Sequence, residues 1–373
     1  MTKAGGIYIH VPFCLKRCIY CDFYSTTYGE EWKRSYVSAL KKEMALRRTE
    51  IDSSRVPSLY IGGGTPSQLA PSLLAEIFQA INDNFSLAND AEVTIEVNPD
   101  DVTSDLMHVL RNTRVNRISM GIQTFSDPLL RFLNRRHTSH QAIEAVHLCQ
   151  DSGFGNISLD LIYGLPGQTM ETWKRDVGQL LSLDVPHISA YALSYEEGTP
   201  LYKMLQEKQV SEVDEELSWQ MYEYLMDEVA EVGIEHYEIS NFAKPGMHSR
   251  HNSSYWNGSP YLGLGPGAHS YDGNNVRRSN DTSLKGYVQA SADVPHQTET
   301  LSPEECYDEL VMTRLRTASG LPLALLTSAQ QSYCLQMAEP HIQCGNLLYE
   351  NATLRLSRKG IFISNSVISD LMY

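Results

Sequence analysis

The chain has 373 residues, 42% of them hydrophobic and 20% charged, with a formal net charge of −15. That length buries a sizeable core in two or three domains, and the acidic balance argues against a general nucleic-acid binder, which carries a basic patch or stripe. No run approaches ~20 apolar residues, so no segment is expected to span a membrane. The opening MTKAGGIYIHVPFC lacks the charged-then-apolar layout of a secretory leader. Seven cysteines in a long chain without such a leader point to a reducing, cytoplasmic setting.

Through the first two hundred residues, short strand-like runs alternate with amphipathic helices. The strand candidates are 7–13, 58–61, 92–97, 116–123, 156–163 and 187–194, rich in Ile, Val and Tyr and ended by Gly, Pro or polar residues. Between them Trp32, Tyr36, Leu40 and Met44 recur every four residues, and Leu73, Leu74, Ile77 and Ile81 keep the i, i+3/i+4 spacing. Helical patterns also cover 104–111, 140–152 and 170–183. The alternation predicts an α/β fold on a parallel sheet, either open or curled into a partial barrel. Beyond residue 200 the rhythm changes. A helix is expected over 214–232, with Leu217, Met221, Leu225 and Val229 on one face and Gly233 as its C-cap. The stretch 237–271, dense in Gly, Pro, Asn, His and aromatics, reads as a long functional loop. The expected division is 1–200, then 201–295 as a helical extension carrying that loop, then 296–373 as a small unit of helices with a terminal hairpin.

The cysteines are unevenly placed. Cys149, Cys306, Cys334 and Cys344 are scattered and read as small core side chains. Cys14, Cys18 and Cys21 fall in one short loop after the first strand and read as metal ligands. Zinc would need a fourth ligand, for which His10 is the candidate. However, structural zinc sites draw ligand pairs from separate segments, and His10 lies within a strand pattern. Three close cysteines suit a 4Fe–4S cubane in which one iron lacks a protein ligand.

The Cys14-x-x-x-Cys18-x-x-Cys21 spacing, with Tyr20 before the third cysteine, resembles the radical S-adenosylmethionine superfamily, and the likeness extends over most of the chain. The resemblance implies a partial (β/α)6 barrel and an open iron that chelates the methionine moiety of S-adenosylmethionine. It further implies reductive release of a 5′-deoxyadenosyl radical. Other candidates follow at the C-terminal ends of the strands. Gly63, Gly64 and Thr65, within Gly62-Gly63-Gly64-Thr65-Pro66, would meet the methionine amino group. Glu96 would accept ribose hydroxyls, as acidic residues do in dinucleotide folds. Gln123, Arg135 and Asp160 lie at or after the fourth and fifth strands, and Tyr8 would line the nucleoside pocket. No residue is singled out as catalytic.

Within the superfamily, YIHVPFC, IGGGTPS, GIQTF, LDLIYGLPGQT and YEISNFAKPG resemble the group of HemN, the oxygen-independent coproporphyrinogen III dehydrogenases, and the HemW haem chaperones. Three features favour the HemW branch: Phe23 stands where the dehydrogenases place a further cysteine, only 13 residues precede Cys14, and His251-Asn252-Ser253-Ser254-Tyr255-Trp256 matches an HNxxYW signature. His251 could ligate haem iron, with Tyr255 and Trp256 against the porphyrin; alternatively the segment braces the barrel mouth. The 357–362 segment SRKGIF, with Arg314-Leu315-Arg316-Thr317, resembles the group's winged-helix-like C-terminal domain. The acidic charge argues against DNA binding there and for docking to a partner or covering the site. The expected reading is a cytoplasmic haem chaperone using a 4Fe–4S cluster, S-adenosylmethionine and haem. It would deliver haem to an acceptor that includes membrane-bound proteins, with homodimerisation left open and the dehydrogenase as alternative.

Overall fold

The computed structural model describes residues 4–373. Six parallel strands, β1 (Gly6–Val11), β2 (Val56–Gly63), β3 (Leu87–Val97), β4 (Arg117–Gln123), β5 (Ile157–Tyr163) and β6 (His187–Ala192), lie side by side in chain order. The connections carry α1 (Glu30–Arg47), α2 (Pro71–Asn84), α3 (Ser104–Arg111), α4 (Asp127–Phe132), α5 (Ser139–Asp151) and α6 (Met170–Ser182). The strands alternate through their central residues. Ile7, Ile9, Val11, Leu59, Ile61, Val93, Ile95, Ile118, Met120, Leu159 and Ile188 face the helices in one core. The alternate positions are polar: Tyr8 and His10, Ser58 and Tyr60, Glu92, Thr94 and Glu96, Arg117 and Ser119, Ser158 and Asp160, His187 and Ser189. With a period of two, these fall on the opposite face of the sheet.

That polar face is concave. Glu92 on β3 and Tyr237, on a strand five positions away, both bond Ser249, whose hydroxyl donates to Glu92 Oε1 at 3.4 Å and whose amide donates to the Tyr237 hydroxyl at 3.3 Å. Five flat spacings would separate them by about 24 Å. The sheet therefore curls around its polar residues into the expected partial barrel, with a polar lumen.

Beyond α7 (Pro200–Gln206) and α8 (Glu215–Glu231), the structure departs from the expected helical extension and long loop. Strands β7 (Glu235–Glu238) and β8 (Asn241–Ala243) extend the sheet past β6, and α9 (Arg250–Trp256) follows. Strand β9 (Tyr261–Leu264) pairs parallel with β1, and β10 (His269–Tyr271), β11 (Val276–Asn280) and β12 (His296–Thr300) continue outward, with α10 (Leu284–Gln289) between the last two. Segment 201–295 thus extends both sides of one twelve-stranded sheet rather than forming a separate extension, and the outermost strand β12 falls just beyond it, within the expected third unit. Strands of three to five residues interrupted by glycine are too short for their periodicity to register.

The remaining chain builds a second hydrophobic cluster from Tyr307, Val311, Leu315, Leu347, Leu354, Val367 and neighbours. It comprises α11 (Pro303–Leu315), β13 (Leu321–Pro322), α12 (Ser328–Gln343), β14 (Leu347–Glu350), β15 (Thr353–Leu356), α13 (Arg358–Phe362) and α14 (Ser364–Asp370). The hairpin turns through Asn351 and Ala352, both at positive φ, and is followed by two helices rather than ending the chain.

The β9–β11 edge is pinned to α1 by a buried carboxylate. Glu43 accepts from Arg47 Nη1 (2.7 Å), Asn280 Nδ2 (2.7 Å), the Tyr287 hydroxyl (2.6 Å) and the Gly265 amide (2.8 Å). Removing Glu43 leaves Arg47 its ion pair with Glu50 but breaks the buried Glu43–Arg47 pair and takes the acceptor from the buried Tyr287 hydroxyl, Asn280 amide and Gly265 amide. Glu43→Ala should cost about 3–5 kcal/mol, read as a lowered urea-unfolding midpoint; a midpoint unchanged from wild type would exclude this edge as a stability determinant.

Candidate functional site

The cysteine loop leaves β1 at its C-terminal end. Its base is closed by Thr26, whose amide donates to Pro12 O (2.8 Å) and whose carbonyl accepts from the Cys14 amide (2.9 Å). Two further anchors hold it: the Ile19 carbonyl accepts from the Leu201 amide (2.9 Å), and Asn134 Nδ2 donates to Arg17 O (2.7 Å). Tyr20 packs with Leu129, Leu133, Ile162 and Leu165 in a small apolar cluster. Strand β1 ends at Val11 rather than Phe13, so all three cysteines lie on loop backbone. Their thiols are partly exposed. Burial pushes the Cys14 thiol up and the Cys21 thiol up to about 11, and each also feels the Cys18 charge. Among the described residues no three His, Cys, Asp or Glu side chains are gathered closely enough to hold a metal ion.

His10 does not serve the cysteines. Its Nε2 bonds the Tyr24 carbonyl at 2.8 Å and its Nδ1 the Tyr8 hydroxyl at 3.1 Å. That removes the fourth ligand from the Cys3His zinc arrangement.

Around the loop, the strand ends form a hydrogen-bonded arc. Cys14 Sγ lies 3.6 Å from Thr65 Oγ1, Thr65 accepts from Asn98 Nδ2 at 3.2 Å, Asn98 Oδ1 accepts from Arg135 Nη2 at 2.9 Å, and Arg135 Nη1 donates to Cys18 Sγ at 3.5 Å. Arg135 Nη2 also bonds the Gly121 carbonyl. One arginine thus ties the loop to the ends of β3 and β4. The glycine turn fits beneath: Gly63 adopts φ +111°, and a Cβ on Gly64 would lie 2.7 Å from the Phe13 carbonyl oxygen.

Deeper in the lumen, Glu96 accepts from the Tyr60 hydroxyl (2.8 Å) and the Gly63 amide (3.0 Å). Burial, with Asp160 nearby, pushes it up to about 7. Asp160 is pushed up to about 6 by burial, against hydrogen bonds from Ser189 and Ser119, and among the described residues its Oδ1 has no partner. Gln123 holds φ +71°, strained for a residue with a side chain, and folds over Gly121. Tyr8 packs between Tyr60 and His251. The structure therefore brings together Tyr20, Gly63, Gly64, Thr65, Gln123 and Arg135 at the mouth, with Tyr8, Glu96 and Asp160 below. Sequence reasoning missed Tyr60, Asn98, Arg117, Ser119 and Ser189. Their signal was the every-second-residue polarity of strands otherwise made of Ile, Leu and Val.

His251, Tyr255 and Trp256 lie at the opposite end. The HNxxYW segment is the helix α9, which closes the N-terminal end of the barrel, not its mouth. Glu92 caps it by accepting from the His251 amide (2.9 Å) and the Arg250 amide (3.0 Å). His251 is 1% exposed, with Nδ1 on Ser58 Oγ (2.9 Å) and Nε2 on the Tyr255 hydroxyl (2.9 Å), and burial pushes it down to about 3. Both ring nitrogens are engaged, so as built it is a floor residue rather than an open iron ligand. Trp256 instead faces the C-terminal unit, under the Arg316 guanidinium.

The donor set fits a thiolate-held cluster with a polar ligand beside it. Three soft ligands share one loop, and Arg135 Nε and Asp160 Oδ1 are buried polar atoms that no group among the described residues satisfies.

Residues 8–180 match the radical SAM superfamily. The haem chaperone HemW of Lactococcus lactis is 35% identical, covering 100% of this chain and 98% of its own; that of Bacillus subtilis is 36% identical over 84% of each. The coproporphyrinogen III oxidase HemN of Escherichia coli, a radical SAM enzyme, shares the fold with a TM-score of 0.85 at 21% identity, covering 100% of this chain and 90% of that one. No helix of the described residues is long and apolar enough to cross a membrane.

The lumen carboxylates have a cost that can be measured. A carboxyl raised to about 7 in the fold and near 4.5 when unfolded opposes folding fully above pH 7, and not at all below 4.5. Glu96→Gln keeps hydrogen-bonding capacity without the charge. It should stabilise the protein at pH 8 by about 1–3 kcal/mol and by much less at pH 5. Equal effects at both pH values in thermal unfolding would contradict a carboxylate buried at this cost.

Proposed function

Since the chain belongs to the HemW family of the radical S-adenosylmethionine superfamily, we propose that it is a haem chaperone that carries a 4Fe–4S cluster and binds S-adenosylmethionine. The observation that carries the reading is the match to haem chaperones along the whole chain, with HNxxYW intact. Cys14, Cys18 and Cys21 would hold the cluster, the loop contracting to bring three thiolates onto it. When bound, the cluster supplies an iron for the methionine moiety and a source of single electrons.

The chain's own groups do the rest. Tyr20 fixes the loop. Arg135 bonds Cys18 and orients Asn98 and Thr65, which in turn meets Cys14. Gly63 and Gly64 let backbone approach the ligand's amino group, while Glu96, Tyr8, Gln123 and Asp160 would receive the nucleoside. For His251 to reach haem iron, α9 must release the Ser58 or Tyr255 hydrogen bond. Haem loading is then coupled to movement of the barrel floor, with Tyr255 and Trp256 carried along to flank the macrocycle. The cargo would pass to a haem-accepting protein.

Protein prepared without oxygen should contain about four irons and four sulfides per chain. Cys→Ser at position 14, 18 or 21 should bleach it; zinc in place of iron would refute the cluster. The loaded protein should bind haem without converting coproporphyrinogen III, and His251→Ala should shift the Soret band. Efficient formation of protoporphyrinogen with S-adenosylmethionine and reductant would replace the chaperone by a dehydrogenase.

A further inference from the structure

We propose that Arg117 is a positioning residue: a guanidinium buried beneath the nucleoside pocket that keeps Glu96 a carboxylate and so fits it to accept ribose hydroxyls. The inference rests on the reading of Glu96 given above. Arg117 opens the inner face of β4, in register with Thr94 on β3, while Ser119 two residues on pairs with Glu96. Its side chain therefore starts one layer below that carboxylate. It is 1% exposed, and among the described residues no acceptor takes its Nε or Nη1. Thr94 Oγ1, on the facing position, is equally buried and unpartnered. A fully buried arginine without a bidentate partner is uncommon, because an isolated charge in a protein interior is costly.

Its compensation is spread around the lumen. The Arg117 charge favours the ionised forms of Glu96, Asp160, Tyr60 and Tyr237, and opposes protonation of His187 and His251. Those six groups come from β3, β5, β2, β7, β6 and α9, which places the guanidinium within electrostatic reach of the whole inner face. Glu96 is otherwise surrounded by Tyr8 from β1, Tyr60 from β2, Asp160 from β5, Tyr191 from β6 and Tyr255 from α9. Each of these is neutral or anionic; two cations favour ionised Asp160, Arg117 below and Arg135 above, and Arg117 is the one that also favours ionised Glu96. Without it, two carboxyls in one buried site take up a proton between them, and a protonated Glu96 accepts fewer hydroxyl hydrogen bonds.

The test uses the full cluster-loaded chain and S-adenosylmethionine, with affinity measured by equilibrium dialysis from pH 6 to 9. Arg117→Gln removes the charge and keeps donors. It should bind about fivefold more weakly at pH 7, the fall in ionised fraction when a carboxyl titrating at about 7 moves up by one unit, and recover towards wild type at pH 9. Arg117→Lys should restore most of the affinity at pH 7. A loss that is equal at every pH would mean a purely structural role and overturns the proposal. The Glu96 carboxyl band, taken as the infrared difference between wild type and Glu96→Gln, gives a reading independent of ligand. It should titrate at higher pH in Arg117→Gln, and the same midpoint in both backgrounds overturns the proposal. Should Arg117→Gln not fold, wild type alone still decides, since a Glu96 that remains protonated at pH 8 is not held as a carboxylate. If Glu96→Gln binds S-adenosylmethionine as tightly as wild type, the assignment of Glu96 to the nucleoside fails, while the infrared midpoints still report on Arg117.

Discussion

Charge balance on the inner face of the curled sheet governs everything built on it. A (β/α) barrel with an aliphatic interior packs solid, whereas here every second residue of six strands is polar, and the sheet closes around them. Glu92 and Arg117 are buried and Glu96, Asp160 and Arg135 half-buried, in surroundings where an uncompensated charge is costly. The arrangement works because the charges are layered. Glu92 faces helix α9 and its backbone donors, Arg117 lies between floor and pocket, Glu96 and Asp160 share the middle, and Arg135 closes the top. The layers act on one another through charge while atoms of Arg117, Arg135 and Asp160 keep unused hydrogen-bonding capacity, so the fold and the binding site are one electrostatic object.

Arg135 shows how that object reaches the cysteines. Loop backbone alone gives thiols little fixed direction, and the structure supplies it from the strand ends through Thr65, Asn98 and the guanidinium. An arginine suits the position because its planar fork addresses several acceptors at once. A lysine would offer a single point of charge.

Much of this was legible in the sequence. Six strands emerged from β-branched periodicity, and the cysteine spacing, the glycine turn, Glu96 and Gln123 lay where strand ends were expected, while Arg135 reaches in from beyond β4 and Asp160 sits within β5. What escaped was of two kinds. Tyr60, Arg117 and Ser119 occupy inner-face positions that a half-solvated strand would also make polar, so alternation alone does not mark a lumen. The role of 237–271 escaped because it depends on contacts across great sequence distance: Glu92 with Ser249, and Ser58 with His251. The motif HNSSYW is plain to read, but nothing local states that its histidine is sealed between a serine and a tyrosine.

The pairing of β1 with β9 carries a consequence for how the molecule is made. The strand at residues 6–9 finds its second neighbour at residues 261–264. A chain emerging from the ribosome presents this strand and the cysteine loop well before residues 261–264, and the strand keeps a bare edge until some 250 further residues have been synthesised. Exposed edges of this kind invite wrong pairing, and contacts so remote in sequence slow folding. The metal-binding loop is thus displayed early on an unfinished scaffold, and its final setting is reached only after the distant segment has been added beside it.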